Sequence, residues 1–144
     1  DPVYMALDIF TQSPGETIST SNLSKSRMTI VKDRKNHRDG DLIKAEAAAI
    51  IKKHFGNTSR LGQLIDTSSI YSDLIQIVGV KDIYMTRTDN TSVKVSGITL
   101  LLWNPVYEKS DMSVVSQNLQ LPYYKFPYLH DESCLTSKII VISE

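Results

Sequence analysis

The chain has 144 residues, 41% of them hydrophobic, which is enough for one domain around a single buried core. Lys plus Arg and Asp plus Glu each number 16, so no net charge attracts a nucleic acid or an anionic membrane over a long range. The single cysteine, Cys134, cannot form an internal disulfide, so packing, shape and local chemistry must supply stability and partner recognition.

The first element is an apolar strand. Val3, Met5, Leu7 and Ile9 alternate with other residues, as the period of two in a buried strand requires. The chain starts only two residues earlier and without an initiator Met, as it would if something upstream had been removed. We therefore expect residues 1–144 to form a single domain that is a piece of a larger protein.

Two helices are predicted after a short second strand at 28–31. Asp41 can cap a helix that runs to about Phe55, and Gly56 is expected to end it in a left-handed conformation. A shorter helix begins at a hydroxyl cap within 66–69, and Gly79 follows it where a positive φ would end it.

The remaining strands define the fold class. Segments 80–87 and 92–103 are predicted to form an antiparallel hairpin around a polar turn. Segment 138–143 is apolar on both faces, which predicts a strand inside the sheet. This order of elements indicates an α+β fold, a two-layer sandwich with a mixed sheet and two helices on one face.

Residues 106–137 show no sustained period and are predicted to form a long extended arm before the last strand. Aromatic rings are dense in this arm, and two prolines stiffen it. The rings must pack either on the domain itself or on a neighbouring subunit, and interface cores are enriched in such residues. The candidate interface residues are Trp103, Tyr123, Tyr124, Phe126 and Tyr128.

No motif for catalysis, a cofactor or a metal is recognisable. His130 and Cys134 lie four positions apart, but a zinc site needs further ligands and the chain has no C-x-x-C pair. The basic stretch within 25–38 is interrupted by acids and carries no aromatic residue to stack on a base. We therefore predict a protein that is not an enzyme, that needs no cofactor, and that binds neither nucleic acid nor membrane.

Three short stretches carry a family resemblance. They are Leu61-Gly62-Gln63-Leu64-Ile65, Ser68-Ser69-Ile70 and Ile77-Val78-Gly79-Val80. An apolar helix, a Leu-Gly step, a serine-capped helix and a Gly-Val exit into a strand resemble, in this order, the baseplate J-like family of contractile phage tails. Over most of its length the chain is similar to the C-terminal part of baseplate wedge proteins of T-even-type bacteriophages.

The resemblance implies a structural protein of the virion. Such a protein forms a homo-oligomer, a dimer or a ring, and contacts other baseplate wedge subunits. The resemblance places the chain in the tail baseplate, assembled in the host cytoplasm, as the C-terminal fragment of a longer protein, and it supplies no catalytic residues. The alternative is a small module that binds an extended peptide along an open sheet edge.

Overall fold

The fold is of the predicted α+β class. The computed structural model describes residues 1–56, 59–107 and 111–144. Two α-helices and ten strands follow one another along these residues: β1 Val3–Ile9, β2 Ser26–Lys32, α1 Gly40–Phe55, β3 Leu64–Ile65, α2 Thr67–Ile75, β4 Val80–Arg87, β5 Lys94–Ser96, β6 Leu100–Trp103, β7 Met112–Val115, β8 Leu119–Gln120, β9 Lys125–Leu129 and β10 Ile139–Ser143.

The strands form two mixed sheets of four strands each, and β3 pairs with β8 separately. The first sheet has the order β7-β6-β1-β9, in which β1 is parallel to β9 and antiparallel to β6. The second sheet has the order β10-β2-β4-β5, in which β10 is parallel to β2. The sequence had predicted one mixed sheet, and the structure divides its strands between two.

Gly97 is the point at which the predicted strand 92–103 passes from one sheet to the other. Its φ is +86°, a conformation that residues with a Cβ rarely adopt. Before it β5 pairs with β4 in the second sheet, and after it β6 pairs with β1 in the first. The single strand predicted over 92–103 is therefore two strands. All four residues of β6 are buried, as the apolar pattern on both of its faces had indicated.

One main core joins both sheets and both helices. Alternate residues of β1, β2, β4 and β6 point into it, together with the apolar side of α1. Helix α1 contacts β9 of the first sheet and β10 of the second, whereas α2 contacts α1 and β4. Both helices thus contact the second sheet, and α1 also contacts the first. The largest fully buried side chains include Phe10, Leu7, Met28, Ile43 and Met85.

The helix ends differ in detail from the prediction. Asp39 and not Asp41 caps α1, because its carboxylate accepts a hydrogen bond from the Asp41 amide at 2.9 Å. The cap of α2 is the carboxylate of Asp66, not a hydroxyl. Gly56 has a φ of −96° and so does not form a left-handed exit. Gly79 has the predicted positive φ, at +95°.

The segment 106–137 is extended in part, but it lies within the domain. Its strands β7, β8 and β9 pair with β6, β3 and β1, which all come earlier in the chain. Residues 108–110 of the predicted arm lie outside the described residues. The extended conformation of this segment depends on pairing with strands far away in the sequence. The sequence of the segment therefore shows no sustained strand or helix period.

The composition of strand β10 had predicted a position inside its sheet. In the structure β10 lies at an edge of that sheet. Its only partner strand among the described residues is β2. Ile139 is buried in the main core, whereas Ile140 on the opposite face is 36% exposed. An apolar pattern reports how the two faces of a strand are covered, and it carries no information about the strand's edges.

Candidate assembly surface

Tyr4 and Phe126 form a ring pair on the outer face of the first sheet. In β1, Met5 and Leu7 point into the main core, so Tyr4 points to the opposite side. Tyr4 is directly opposite Phe126 in the parallel pairing of β1 with β9. The ring centroids are 5.7 Å apart in an edge-to-face arrangement, and Tyr4 is 57% exposed. Rings paired in this way offer a large and ordered apolar contact area.

A second ring pair lies where the chain turns into β9. Tyr123 and Tyr124 meet edge to face with their centroids 5.4 Å apart. They are 84% and 43% exposed. The Val3 amide donates to the Tyr124 carbonyl at 2.8 Å, which joins this turn to the strand that carries Tyr4. We call Tyr4, Tyr123, Tyr124 and Phe126 the aromatic surface.

Gly62 fixes the turn that carries the second pair. Its φ is +67°, and its amide donates to the Lys125 carbonyl at 2.9 Å. A Cβ at this position would lie 3.1 Å from the Cα of Tyr123, so only glycine fits there without displacing the turn. Lys125 also forms an ion pair with Asp111, at 2.9 Å. The backbone that carries the two tyrosines is therefore fixed, so less conformational entropy of the turn is lost when a partner binds.

The predicted interface residues divide between this surface and the interior. Tyr123, Tyr124 and Phe126 belong to the aromatic surface. Trp103 is only 4% exposed and belongs to a small second core, against which the half-buried Tyr128 packs. The second core comprises Ala6, Phe10, Leu23, Leu101 and Trp103.

Tyr4 was not among the predicted interface residues. The alternation that places Val3, Met5 and Leu7 on one face of β1 also places Tyr4 on the other. The alternation therefore indicates that Tyr4 faces away from the core. It does not indicate that Tyr4 meets Phe126, because that contact depends on the pairing of β1 with β9.

A cleft of about 500 Å³ lies beside the second core. Asp8, Trp103, His130 and Lys138 contribute to its lining. The Lys138 ammonium donates to the Asp8 carboxylate at 2.8 Å and to the Leu23 carbonyl at 3.1 Å. Burial raises the pKa of Asp8, and the hydrogen bond from Lys138 opposes this rise. Because the two charges satisfy each other, the pair serves to fasten the start of β10 to β1.

The loop after β9 holds His130 and Cys134, the residues considered above for a metal site. Asp131 has a φ of +48°, and hydrogen bonds from Cys134 and then Ser133 lower the pKa of its carboxyl. The Asp131 carboxylate therefore accepts hydrogen bonds from the side chains of Cys134 and Ser133 in its own loop. Within residues 1–56, 59–107 and 111–144, no three His, Cys, Asp or Glu side chains are grouped to hold a metal ion.

A buried guanidinium holds the long loop between β1 and β2. The side chain of Arg87 is fully buried, and it donates to the carboxylates of Glu16 and Asp89 and to the Thr11 carbonyl. The hydrogen bond from Arg87 is the main reason that the pKa of Asp89 is lowered to about 2. Lys25, in the basic stretch, lies 3.7 Å from the same Asp89 carboxylate.

Other charged groups also pair within the chain. Arg38, also in the basic stretch, pairs with Glu46 and donates to the Val78 carbonyl at 3.0 Å. His54 and Asp73 meet at 2.9 Å and join α1 to α2. These contacts support the fold.

Comparisons with models of protein families, with curated proteins and with solved structures found no match. None of the helices in the described part of the chain is long and apolar enough to cross a bilayer.

Proposed function

We propose that this chain is a structural component of a phage tail baseplate wedge, which forms a ring by self-association and by contacts with other baseplate subunits. The aromatic surface is the observation that carries the proposal. It presents two ordered ring pairs on a domain that already has a filled main core. Aromatic residues are enriched at the centres of protein interfaces, where they contribute most of the binding energy.

The resemblance to the baseplate J-like family supports the choice of assembly. In such a role the protein supplies surfaces and a stable scaffold, with no chemical step. The internal ion pairs suit that role, because Arg87 fixes the loop between β1 and β2, and Lys138 fixes the start of β10 against β1. The proposal therefore needs neither a cofactor nor a nucleophile.

The test of self-association compares Tyr4→Thr/Tyr123→Ser with the unchanged protein. Light scattering over a range of concentrations should find dimers or larger species for the unchanged chain and a clearly smaller average mass for the variant at the same concentration. Because both rings are exposed, the free energy of unfolding should change by less than about 1 kcal/mol. Tyr84→Thr, a half-buried tyrosine in the second sheet, is the matched control and should leave the association unchanged.

A solitary chain at every concentration, alone and in the presence of baseplate wedge subunits, would overturn the proposal. The place in the virion has its own test. Antibodies raised against this chain should label the tail baseplate of contractile-tailed particles by electron microscopy. Labelling confined to the head or the sheath would contradict that part of the proposal.

A further inference from the structure

Strand β10 presents an unusual edge. Four consecutive residues, 139–142, are aliphatic, and the strand contains neither proline nor a charged residue. Sheet edges are normally protected against pairing with another chain by proline, lysine, bulges or short length. Among the other edge strands, β9 contains Pro127, β5 has only three residues and carries Lys94, and β7 has only four residues. Strand β10 has none of these protective features.

The backbone groups that β10 leaves unpaired can be identified. The Glu144 amide donates to the Lys32 carbonyl at 3.0 Å, and the Arg34 amide donates to the Glu144 carbonyl at 2.9 Å, so both backbone groups of Glu144 face β2. Alternate residues of a strand face the same neighbour. Ile140 and Ile142 therefore also face β2, whereas the backbone groups of 139, 141 and 143 face away from it.

The outward groups have few partners. The amide of Ile139 donates to the Thr136 carbonyl, so it is already satisfied. Within residues 1–56, 59–107 and 111–144, neither the Val141 amide nor the Ser143 amide donates a hydrogen bond to another group. The outer edge thus offers two amides, those of Val141 and Ser143, and three carbonyls, those of Ile139, Val141 and Ser143.

We propose that β10 pairs with β10 of a second copy of this chain, antiparallel, about a two-fold axis at Val141. In that register each Val141 amide donates to the Val141 carbonyl of the other copy, and each Ser143 amide donates to the opposite Ile139 carbonyl. Every outward donor thereby meets an outward acceptor. Ile140 lies across from Ile142, which extends the apolar outer face of the sheet over both copies.

This self-complementarity is the reason for choosing a second copy over an unrelated peptide. A two-fold contact needs one surface that fits itself, and the donors and acceptors of β10 meet that condition. The pairing would join two four-stranded sheets into one continuous sheet. It uses an edge of the second sheet, whereas the aromatic surface lies on the first, so the two contacts are separate and neither depends on the other.

Hydrogen exchange gives the sharpest test, because the register predicts an alternation. The amides of Ile140 and Ile142 should be protected at every protein concentration, since they bond to β2. The amides of Val141 and Ser143 should exchange quickly in dilute protein and become protected as the concentration rises. Rapid exchange of these two amides at high concentration overturns the proposal, as does their protection in a dilute monomer.

Ser143→Pro is the matching variant. It removes an outward amide donor, and its exposed side chain leaves the core untouched. Measured by light scattering in the Tyr4→Thr/Tyr123→Ser background, which removes the other contact, the dimer dissociation constant should rise at least about tenfold. Ser143→Ala keeps the amide and should dimerise like the unchanged chain. Equal dimerisation of the Pro and Ala variants would overturn the proposal.

A second variant guards against a folding defect in the first. Ile140→Lys places a charge on the partly exposed face of the edge and should also weaken dimerisation, with an unchanged circular dichroism spectrum. Tyr4→Thr/Tyr123→Ser should leave the concentration-dependent protection of Val141 and Ser143 intact. If instead protection requires an added unrelated peptide, the edge serves a different partner and the proposal is wrong.

Discussion

The ammonium of Lys138 lies 2.8 Å from the carboxylate of Asp8, although 130 positions of chain separate the two residues. Asp8 belongs to β1 of the first sheet, and Lys138 directly precedes β10 of the second. The side chains are 3% and 12% exposed, so solvent screens their attraction weakly. This contact links β1 of the first sheet to the start of β10 in the second, beside the cleft that both residues line.

Loss of one partner of this pair should be costly. Lys138→Met leaves the Asp8 carboxylate buried alone, and Asp8→Asn leaves the ammonium alone, each at a cost of up to about 3 to 5 kcal/mol. The double substitution should lose clearly less than the sum of the two single losses. Urea denaturation measures all four proteins, and strict additivity would show that the charges do not interact.

The same pair predicts a dependence on pH. Burial already raises the pKa of Asp8 above its usual 3.8, so the folded state holds this proton more tightly than the unfolded state. The resulting stability is present below pH 3.8 and is lost as the pH rises through the folded pKa. Lys138→Met removes the main opposing effect, so its destabilisation should be larger at about pH 7 than at about pH 4. An equal loss at both pH values would contradict this account.

Asp89 should show the opposite sign. The hydrogen bond from Arg87 lowers its pKa to about 2, from an ordinary value of 3.8. Its contribution to stability is therefore present above pH 3.8 and is lost as the pH falls through about 2. Carboxyl carbon NMR should give a midpoint of about 2 for Asp89. Between pH 3.8 and about 2, Asp89→Asn should lose less stability than the unchanged protein. An NMR midpoint at the ordinary value of 3.8 would show that Arg87 does not hold the carboxylate.

Two glycines with positive φ should respond differently to alanine. A Cβ on Gly97 meets nothing within 4 Å, so Gly97→Ala costs only backbone strain, roughly 1 to 2 kcal/mol. Gly62→Ala adds a 3.1 Å contact with the Tyr123 Cα and should cost more. It should also weaken self-association, because Tyr123 moves. Gly97→Asn is the control, since Asn tolerates a positive φ, and thermal unfolding ranks the variants. Equal losses for both alanines would contradict the close contact.

Trp103 is the single tryptophan, and its burial gives a spectroscopic prediction. Because the ring lies in the second core and meets the ring of His130 at 5.0 Å, its surroundings belong to one chain. Its emission should stay blue-shifted and unchanged when an assembly is diluted to monomers. A red shift on dilution, without loss of circular dichroism, would place Trp103 in an interface after all.

The sequence predicted the elements that have a strong local signal. The alternation in β1, the helix ending at Phe55 and the positive φ of Gly79 all follow from neighbouring residues and are confirmed. The fold class follows from the order of these elements and is confirmed as well.

Other features depend on distant residues and were missed. The change of sheet at Gly97 leaves the apolar pattern on either side uninterrupted, so the pattern predicted one strand. The interior position of Trp103 depends on which strands β6 joins. In a segment without a local hydrophobic period, the sequence does not distinguish buried from exposed aromatic residues. The strand pairings decide which they are.

The parallel pairings of β1 with β9 and of β2 with β10 also govern when the chain can fold during synthesis. Val3 is opposite Lys125, and Met28 is opposite Ile139, so neither sheet gains its parallel strand until these late residues have left the ribosome. Contacts between such distant positions slow folding and leave apolar strands unprotected in the meantime. One edge of β1 and one edge of β2 therefore stay unpaired until synthesis reaches β9 and β10, which exposes the nascent chain to aggregation during that interval.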